Sequence, residues 1–393
     1  MRSPRVVPTI AAARSANAKR LPLSVTRPSE VPPADQRHVE RIDKFDALRG
    51  IAILFVMYLH AYFDPWANVP HNDVLFLRAS LLVANSAVPV FLFMSGFLST
   101  RDRSTSFSML IQSRLRRVAV PLAFWMILAL LFEIWLRGEL TPEMMRSFAL
   151  FDIAGQYYYV LVLLLLTAAC YPLRHVDDRR LRWIVVAAFL VNLATIAWYQ
   201  ANPLTGFWWS MAYRNPMVWV FAFTFGLYLG RTRGNVRFDG RTILVVTGAM
   251  IAFAVAYMLI GERAGYPNSY FGVTVFLFAA CGFVVYPAAL RAIDRTRIGH
   301  VLLAPFVSLA PYAFGIYLVH KPYFVGYFSD RWVSDSFVAN DYLRLVGSLF
   351  LVGGALSIAF VVLMNEFFPK FAAIMLGVDR PRSIAVPRVR PRR

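Results

Sequence analysis

The sequence predicts an all-α protein, a polytopic membrane helix bundle with about ten transmembrane helices and both termini in the cytosol. Three observations support this. Of the 393 residues, 58% are hydrophobic and only 16% charged, and the mean hydropathy is +0.54. Apolar runs long enough to cross a bilayer recur along the chain. The segments between these runs are alternately rich and poor in arginine, as the positive-inside rule requires.

The two ends of the chain differ in composition from its middle. Residues 1–40 are rich in Pro, Ala, Ser and Arg, and their first acidic residue is Glu30. Such a composition cannot bury a core and predicts a disordered basic N-terminal tail. An organelle transit peptide is the less favoured interpretation. Residues 41–366 form the predicted membrane domain, and residues 367–393 a basic cytosolic C-terminal tail.

Ten candidate spans lie near residues 47–64, 79–100, 118–136, 153–173, 183–201, 215–230, 242–261, 266–290, 301–320 and 343–365. The segments after the second, fourth, sixth and eighth spans are strongly basic, and so are both tails. An even number of spans with both ends in the cytosol satisfies all of these constraints. Tyr157–Tyr159, Trp198 and Trp208 are predicted to belong to aromatic belts at the membrane surfaces.

The net charge of +19 would suit a nucleic-acid-binding protein in a soluble chain. Here the arginines are explained by topology, so no nucleic-acid partner is predicted. The two cysteines, Cys170 and Cys281, lie in apolar runs and predict neither a disulfide framework nor a cysteine metal site. No metal is expected.

The first span carries ionisable residues on one stripe. Arg49 and His60 are eleven residues apart, about three helical turns and a rise of roughly 16 Å. Asp64 follows His60 at i+4 and could orient its ring. Ionisable groups inside a membrane are costly and indicate a functional site. An imidazole is a natural general base, although a histidine that only packs against a neighbouring helix is the alternative.

Three further groups are candidates for binding roles. Arg114 and Arg117 are i,i+3 on a predicted helix, so their guanidinium groups could converge on a phosphate, although plain positive-inside topology explains them as well. Tyr317 and His320, at the predicted extracytosolic end of the ninth span, could bind an acceptor hydroxyl or act as interfacial anchors. Glu133 is an intramembrane carboxylate without an obvious partner. In the second span, Ser95-Gly96 predicts close helix packing rather than a nucleophile.

Together these stretches resemble the acyltransferase-3 family of multi-pass membrane acyltransferases. The similarity lies in four motifs in family order: Leu48-Arg49-Gly50 with ten residues between Arg49 and His60, the Ser95-Gly96-Phe97 run, the Arg114-x-x-Arg117 pair, and the run from Gly315 to His320. The resemblance implies transfer of an acetyl or other short acyl group from cytosolic acyl-CoA to a hydroxyl of a glycan, lipid-linked sugar or related acceptor.

Carried over by position, the resemblance makes His60 the catalytic histidine and implies that Arg49, Arg114 and Arg117 bind the CoA phosphates or brace the site. His60 would remove the proton of the acceptor hydroxyl, or would itself become acylated as an acyl-histidine. Acyl-CoA is expected as co-substrate without a permanently bound cofactor, and the bacterial inner membrane as the location, with membrane lipid as a partner. A transporter or flippase of a glycan or lipid-linked substrate is the alternative function.

Overall fold

The computed structural model describes residues 34–63, 74–100, 106–202, 204–232, 238–260, 270–328 and 342–378. These ranges contain helices and no strand, which confirms the all-α prediction. The chain divides into two units, Met1–Val39 and Glu40–Arg393, and the contacts that build the helix bundle belong to the second.

The α-helices, in chain order, are α1 (Ala34–Phe63), α2 (Val74–Ala84), α3 (Ala87–Ser99), α4 (Phe107–Arg114), α5 (Val120–Arg137), α6 (Pro142–Ala149), α7 (Tyr158–Ala169), α8 (Asp178–Ala201), α9 (Gly206–Arg214), α10 (Val220–Arg231), α11 (Gly240–Ile260), α12 (Val273–Asp294), α13 (Arg297–Leu309), α14 (Ala313–Val319), α15 (Tyr342–Ser348), α16 (Gly354–Phe367) and α17 (Pro369–Met375). Wider π-helical turns continue α4, α14 and α15, at Leu115–Ala119, His320–Val325 and Leu349–Gly353.

Eight helical segments in the described part of the chain are long and apolar enough to cross a membrane: Phe45–Tyr62, Phe76–Ser99, Phe107–Arg137, Asp178–Ala201, Gly240–Leu259, Val273–Asp294, Arg297–Phe328 and Leu343–Phe367. The predicted fourth and sixth spans correspond to α7 and α10, apolar helices of 12 residues each. A helix of that length rises about 18 Å, less than the roughly 30 Å hydrocarbon core. The protein is therefore an integral membrane helix bundle, and its predicted count of ten spans is not confirmed.

Helices α3 and α10 pack with their backbones close together. A Cβ atom at Gly96 would collide with the backbone carbonyl of Phe223, and one at Gly226 would collide with that of Phe93. Small residues permit this close approach in membranes, where van der Waals contact drives helix association. The close packing predicted from Ser95-Gly96 is thus confirmed, and Ser95 itself is hydrogen-bonded to Tyr159.

Contacts between arginines and helix ends bring predicted basic segments together at one end of the bundle, called here the basic end. Arg174 donates to the backbone carbonyl of Ser99, the last residue of α3. Arg231, the last residue of α10, lies 3.1 Å from the carboxylate of Asp178 at the start of α8. Cations at helix C-termini also favour the helix dipole.

The bundle domain begins and ends at the basic end. Phe45 in α1 stacks on Phe97, near the end of α3, with ring centroids 4.3 Å apart. Gly377, after α17, lies against the backbone of Arg117. This agrees with an even number of crossings, while the cytosolic location of the basic end stays a prediction.

The two predicted tails fall largely outside the described residues, with two exceptions. Helix α1 starts at Ala34, within the predicted N-terminal tail. Helix α17 lies in the predicted C-terminal tail and packs on α5, where the indole Nε1 of Trp125 donates to the carbonyl oxygen of Met375 at 2.6 Å.

The aromatic residues predicted for the membrane surfaces divide into two groups. Trp198 and Trp208 are 56% and 66% exposed, as expected for side chains that face lipid or its interface. Tyr157, Tyr158 and Tyr159 are at most 9% exposed, so their assignment to an aromatic belt is wrong. They pack in the core, and Tyr158 and Tyr159 line the cavity described next.

Candidate active site

Helix α1 carries Arg49 and His60 into the bundle. Ile53 and Met57, on the turns between them, are completely buried. Packing explains the glycine of the Leu-Arg-Gly motif, Gly50, because a Cβ atom there would collide with the backbone carbonyl of Phe306 in α13. The glycine lets α1 and α13 approach closely.

His60 faces a second histidine. The ring centroids of His60 and His320 are 5.1 Å apart, and His320 is 0% exposed. Nδ1 of His320 lies 2.9 Å from the carbonyl oxygen of Tyr317 and 3.1 Å from that of Ile316. Because carbonyl oxygens only accept, Nδ1 of the neutral ring carries the proton and Nε2 the lone pair. This Nε2 has no hydrogen-bond partner among the described residues.

A cavity of about 250 Å³ lies beside the histidine pair. His60 lines it, so the imidazole predicted to be catalytic faces the interior of the bundle and not lipid. Polar residues of its wall include six from the segment 150–157, α9 and the region of α14: Asp152, Gln156, Ser210, Arg214, Tyr317 and Lys321.

The segment 150–157 is tied to α14 by hydrogen bonds in both directions. Tyr157 donates its hydroxyl to the carbonyl oxygen of Leu318 at 2.8 Å. Tyr317 donates its hydroxyl to the carbonyl oxygen of Gln156, and Gln156 Nε2 donates back to the carbonyl oxygen of Tyr317 at 3.4 Å. Phe151 in this segment has φ +58°, an unfavourable conformation for a bulky residue that persists where the surroundings hold it.

Lys321 approaches both histidines. Its ammonium group lies against Gly155, so closely that a Cβ atom there would be 2.9 Å from Nζ. Gly155 also has φ +70°, which glycine adopts without strain. Lys321 is within electrostatic range of His60 and His320.

Asp152, Ser210 and Arg214 form a charged cluster in the cavity wall that sequence reasoning missed. Arg214 Nη2 lies 3.0 Å from Asp152 Oδ1, and Ser210 donates to Asp152 Oδ2 at 2.7 Å. Arg214 also donates to the carbonyl oxygen of Leu150 at 2.6 Å. A signal was present, because Arg214 is the one charged residue in the sequence between Arg182 and Arg231.

Arg49 and Arg114 are connected with this cavity through Tyr159, one of the residues of its wall. Arg49 Nη1 is 3.4 Å from Asp46 Oδ1, one turn earlier in α1. Both arginines are within electrostatic range of Tyr159, which lines the cavity and is hydrogen-bonded to Ser95. The structure thus relates two of the predicted CoA ligands to the chamber of His60.

Arg117 has different surroundings from Arg114. Arg114 ends α4 and is half-buried, whereas Arg117 lies in the following π-helical turn and is exposed. With Arg116 and α17, Arg117 lines a groove of about 360 Å³. The predicted convergence of Arg114 and Arg117 depends on the i,i+3 spacing of an α-helix. That spacing does not apply here, because π-helical hydrogen bonds run from i to i+5. Their role at CoA phosphates stays a prediction.

The remaining candidates are placed as follows. Tyr317 and His320 are 7% and 0% exposed, which excludes the interfacial-anchor interpretation. Glu133 is paired with Arg137 at 3.1 Å, so the expectation that it lacks a partner is wrong, and it does not line the cavity. Asp64 lies outside the described residues. Within the described ranges, no group of three or more His, Cys, Asp or Glu side chains could hold a metal ion.

Comparison with known proteins gives one match. No curated protein and no solved structure matches the chain. A family model described as an acyltransferase domain, that of the acyltransferase-3 family, matches residues 42–364. The match covers nearly the whole chain and includes Arg49, the cavity and both histidines. The chain therefore belongs to the acyltransferase-3 family.

Proposed function

We propose that this membrane acyltransferase moves an acetyl or other short acyl group from cytosolic acyl-CoA to a hydroxyl of a glycan or related acceptor, with His60 as general base. The observation that carries the proposal is the pairing of His60 with His320, at a ring-centroid distance of 5.1 Å, beside a polar cavity inside the bundle. Such a cavity offers a bound substrate a titratable imidazole in its wall.

The proposed topology has ten crossings, with α7 and α10 as the two short ones, and both termini in the cytosol. The contacts that gather arginines and the two ends of the bundle domain at the basic end support it. The proposed location is the bacterial inner membrane, with surface polysaccharide or a lipid-linked sugar as the acceptor.

The donor enters from the basic end, where guanidinium groups suit the phosphates of CoA. Arg49 and Arg114 are assigned to these phosphates because both lie within electrostatic range of Tyr159 in the cavity wall. Arg117 is assigned to the same anion from the adjoining groove. The helix rise from Arg49 to His60 is roughly 16 Å, a distance that the pantetheine arm spans.

In the reaction, the imidazole of His60 removes the proton of the acceptor hydroxyl as its oxygen attacks the thioester carbonyl. The C–S bond then breaks, the acyl group remains on the acceptor oxygen, and the CoA thiolate takes the proton from the imidazolium. Tyr317 and His320 are assigned to the acceptor. Tyr317 lines the cavity, and the Nε2 atom of His320 is an acceptor without a partner among the described residues.

Radiolabelled acetyl-CoA supplied to membranes with and without the protein tests the proposal. We expect label in a glycan or lipid-linked sugar only when the protein is present, and a matching acetyl mass in the surface glycans. Movement of an unmodified substrate without incorporation of label would instead favour the transporter alternative.

A further inference from the structure

Asp152 presents a carboxylate to the cavity in a fixed orientation. Arg214 Nη2 lies 3.0 Å from its Oδ1, and the Ser210 hydroxyl donates to its Oδ2 at 2.7 Å. A carboxylate has about four lone-pair positions, so these two contacts leave acceptor capacity. The Asp152 side chain is 33% exposed and that of Arg214 8% exposed, and both line the cavity.

Gln156 adds a second hydrogen-bond acceptor from the same segment. It is 2% exposed and lines the cavity, and its Nε2 donates to the carbonyl oxygen of Tyr317. Its Oε1 has no hydrogen-bond partner in the described part of the chain. Leaving a buried acceptor without a partner is unfavourable, so a ligand hydroxyl that donates to Oε1 would be favoured.

Aromatic rings supply the apolar part of the same wall. Trp209 and Tyr213 both line the cavity, with ring centroids 5.4 Å apart and planes nearly perpendicular. A sugar ring combines hydroxyl donors on its edge with C–H groups on its faces. Hydrogen-bond acceptors complement the hydroxyl donors of the sugar. Aromatic surfaces complement its C–H groups, because an aromatic ring presents a negative face.

We propose that Asp152, Gln156 and Trp209 form the acceptor subsite of the enzyme and that it takes one polyhydroxylated ring at a time. The proposal rests on the acyltransferase function proposed above and names the form of its acceptor. The cavity of about 250 Å³ lies below the range of roughly 300–1,000 Å³ typical of drug-sized ligands. The acceptor is therefore a terminal or singly linked sugar unit, and the rest of its chain stays outside.

A pair of matched acceptor probes tests this with the full-length protein in lipid nanodiscs and acetyl-CoA as donor. Methyl β-D-glucopyranoside and cyclohexylmethanol both carry a hydroxymethyl group on a six-membered ring, but only the glucoside has ring hydroxyls. Acceptor-dependent release of CoA is followed with a thiol reagent. We expect wild type to use the glucoside at least tenfold better, since a site built around hydroxyls rejects an analogue that lacks them.

Variants then test whether the preference for the glucoside depends on Asp152 and Gln156. Asp152→Asn and Gln156→Leu should each lower kcat/KM for the glucoside at least tenfold, and leave the KM for acetyl-CoA and the rate with cyclohexylmethanol within twofold. Asp178→Asn is the matched control, because Asp178 is also paired with an arginine, at 3.1 Å, but at the basic end. Should Asp152→Asn not fold, Gln156→Leu alone decides.

Equal use of the two probes by wild type, or a preference that survives in the folded variants, would overturn the subsite. Continued use of the glucoside by His60→Ala would instead refute the general-base role and leave the subsite standing. The two failures are thus distinguishable.

Discussion

Two aspartate–arginine pairs of nearly equal length lie beyond opposite ends of α7 and differ in burial. Asp152 and Arg214 are 3.0 Å apart with side chains 33% and 8% exposed, whereas Asp178 and Arg231 are 3.1 Å apart and 58% and 28% exposed. The first pair lines the cavity of His60, and the second holds helix ends together at the basic end. The same kind of ion pair therefore lines the candidate site in one place and connects helix ends at the surface of the bundle in the other.

The comparison shows that a high number of arginines indicates which side of the membrane an end of the bundle faces. The burial of a single arginine, Arg214, instead indicates the wall of the cavity. Arginines at the basic end are many and mostly surrounded by solvent, where an ion pair contributes about 0.2–1 kcal/mol. Arg214 is alone in its region of the sequence and buried, where loss of a partner costs several times more. Three substitutions test how far this difference extends.

The largest effect is expected for Arg214→Leu. It removes the counter-charge of Asp152 and the donor to the carbonyl oxygen of Leu150. We expect the free energy of unfolding to fall by about 3–5 kcal/mol, measured by titration with SDS in mixed micelles. A change below 1 kcal/mol would mean that the two pairs are energetically alike.

A middle effect is expected for Arg114→Ala on the donor side. A hydrogen bond to a charged group contributes about 1.5–3 kcal/mol, so the KM for acetyl-CoA should rise roughly ten- to a hundredfold. The KM for the acceptor should stay within twofold. Arg180→Ala is the control, since that side chain is 83% exposed in a surface pair with Asp177. Equal losses for donor and acceptor would contradict the CoA role of Arg114.

The smallest effect is expected for Asp178→Asn. The exposed pair with Arg231 should contribute no more than about 1 kcal/mol to stability, and less at high salt. Unfolding titrations at low and high ionic strength measure the contribution of this pair to the free energy of unfolding and its dependence on salt. A loss as large as that of Arg214→Leu would show that the basic end is held by its charges.

The sequence predicts the first helix well because a helix with one buried stripe depends on helical period alone. Arg49 and His60 share a stripe by spacing, and His60 faces the interior as an intramembrane imidazole should. The close approach at Gly96 likewise follows from local composition. The pair of Glu133 and Arg137 has the i,i+4 spacing of a helical ion pair, which contradicts the expectation that Glu133 lacks a partner.

What sequence reasoning missed depends on tertiary contacts. The burial of Tyr157–Tyr159 follows from their packing in the core, where the Tyr157 hydroxyl bonds to α14. The environment of Arg117 depends on a π-helical turn that no residue pattern in the sequence predicts. Asp152 and Arg214 are 62 positions apart, and only the folded segment 150–157 brings them together. The count of ten spans is not confirmed because the apolar runs around α7 and α10 include residues outside these short helices.

The central claim is that His60 is the base of acyl transfer, and one matched pair of variants tests it most directly. His60→Ala and His300→Ala each remove one imidazole, but His300 is an exposed side chain, 3.1 Å from Asp294, outside the cavity. Removal of a general base typically costs 10²–10⁴-fold in rate. In membranes given radiolabelled acetyl-CoA, we expect His60→Ala to lose transfer of label by at least a hundredfold while it remains inserted and folded, and His300→Ala to match wild type. Transfer by His60→Ala at the wild-type rate would contradict the claim.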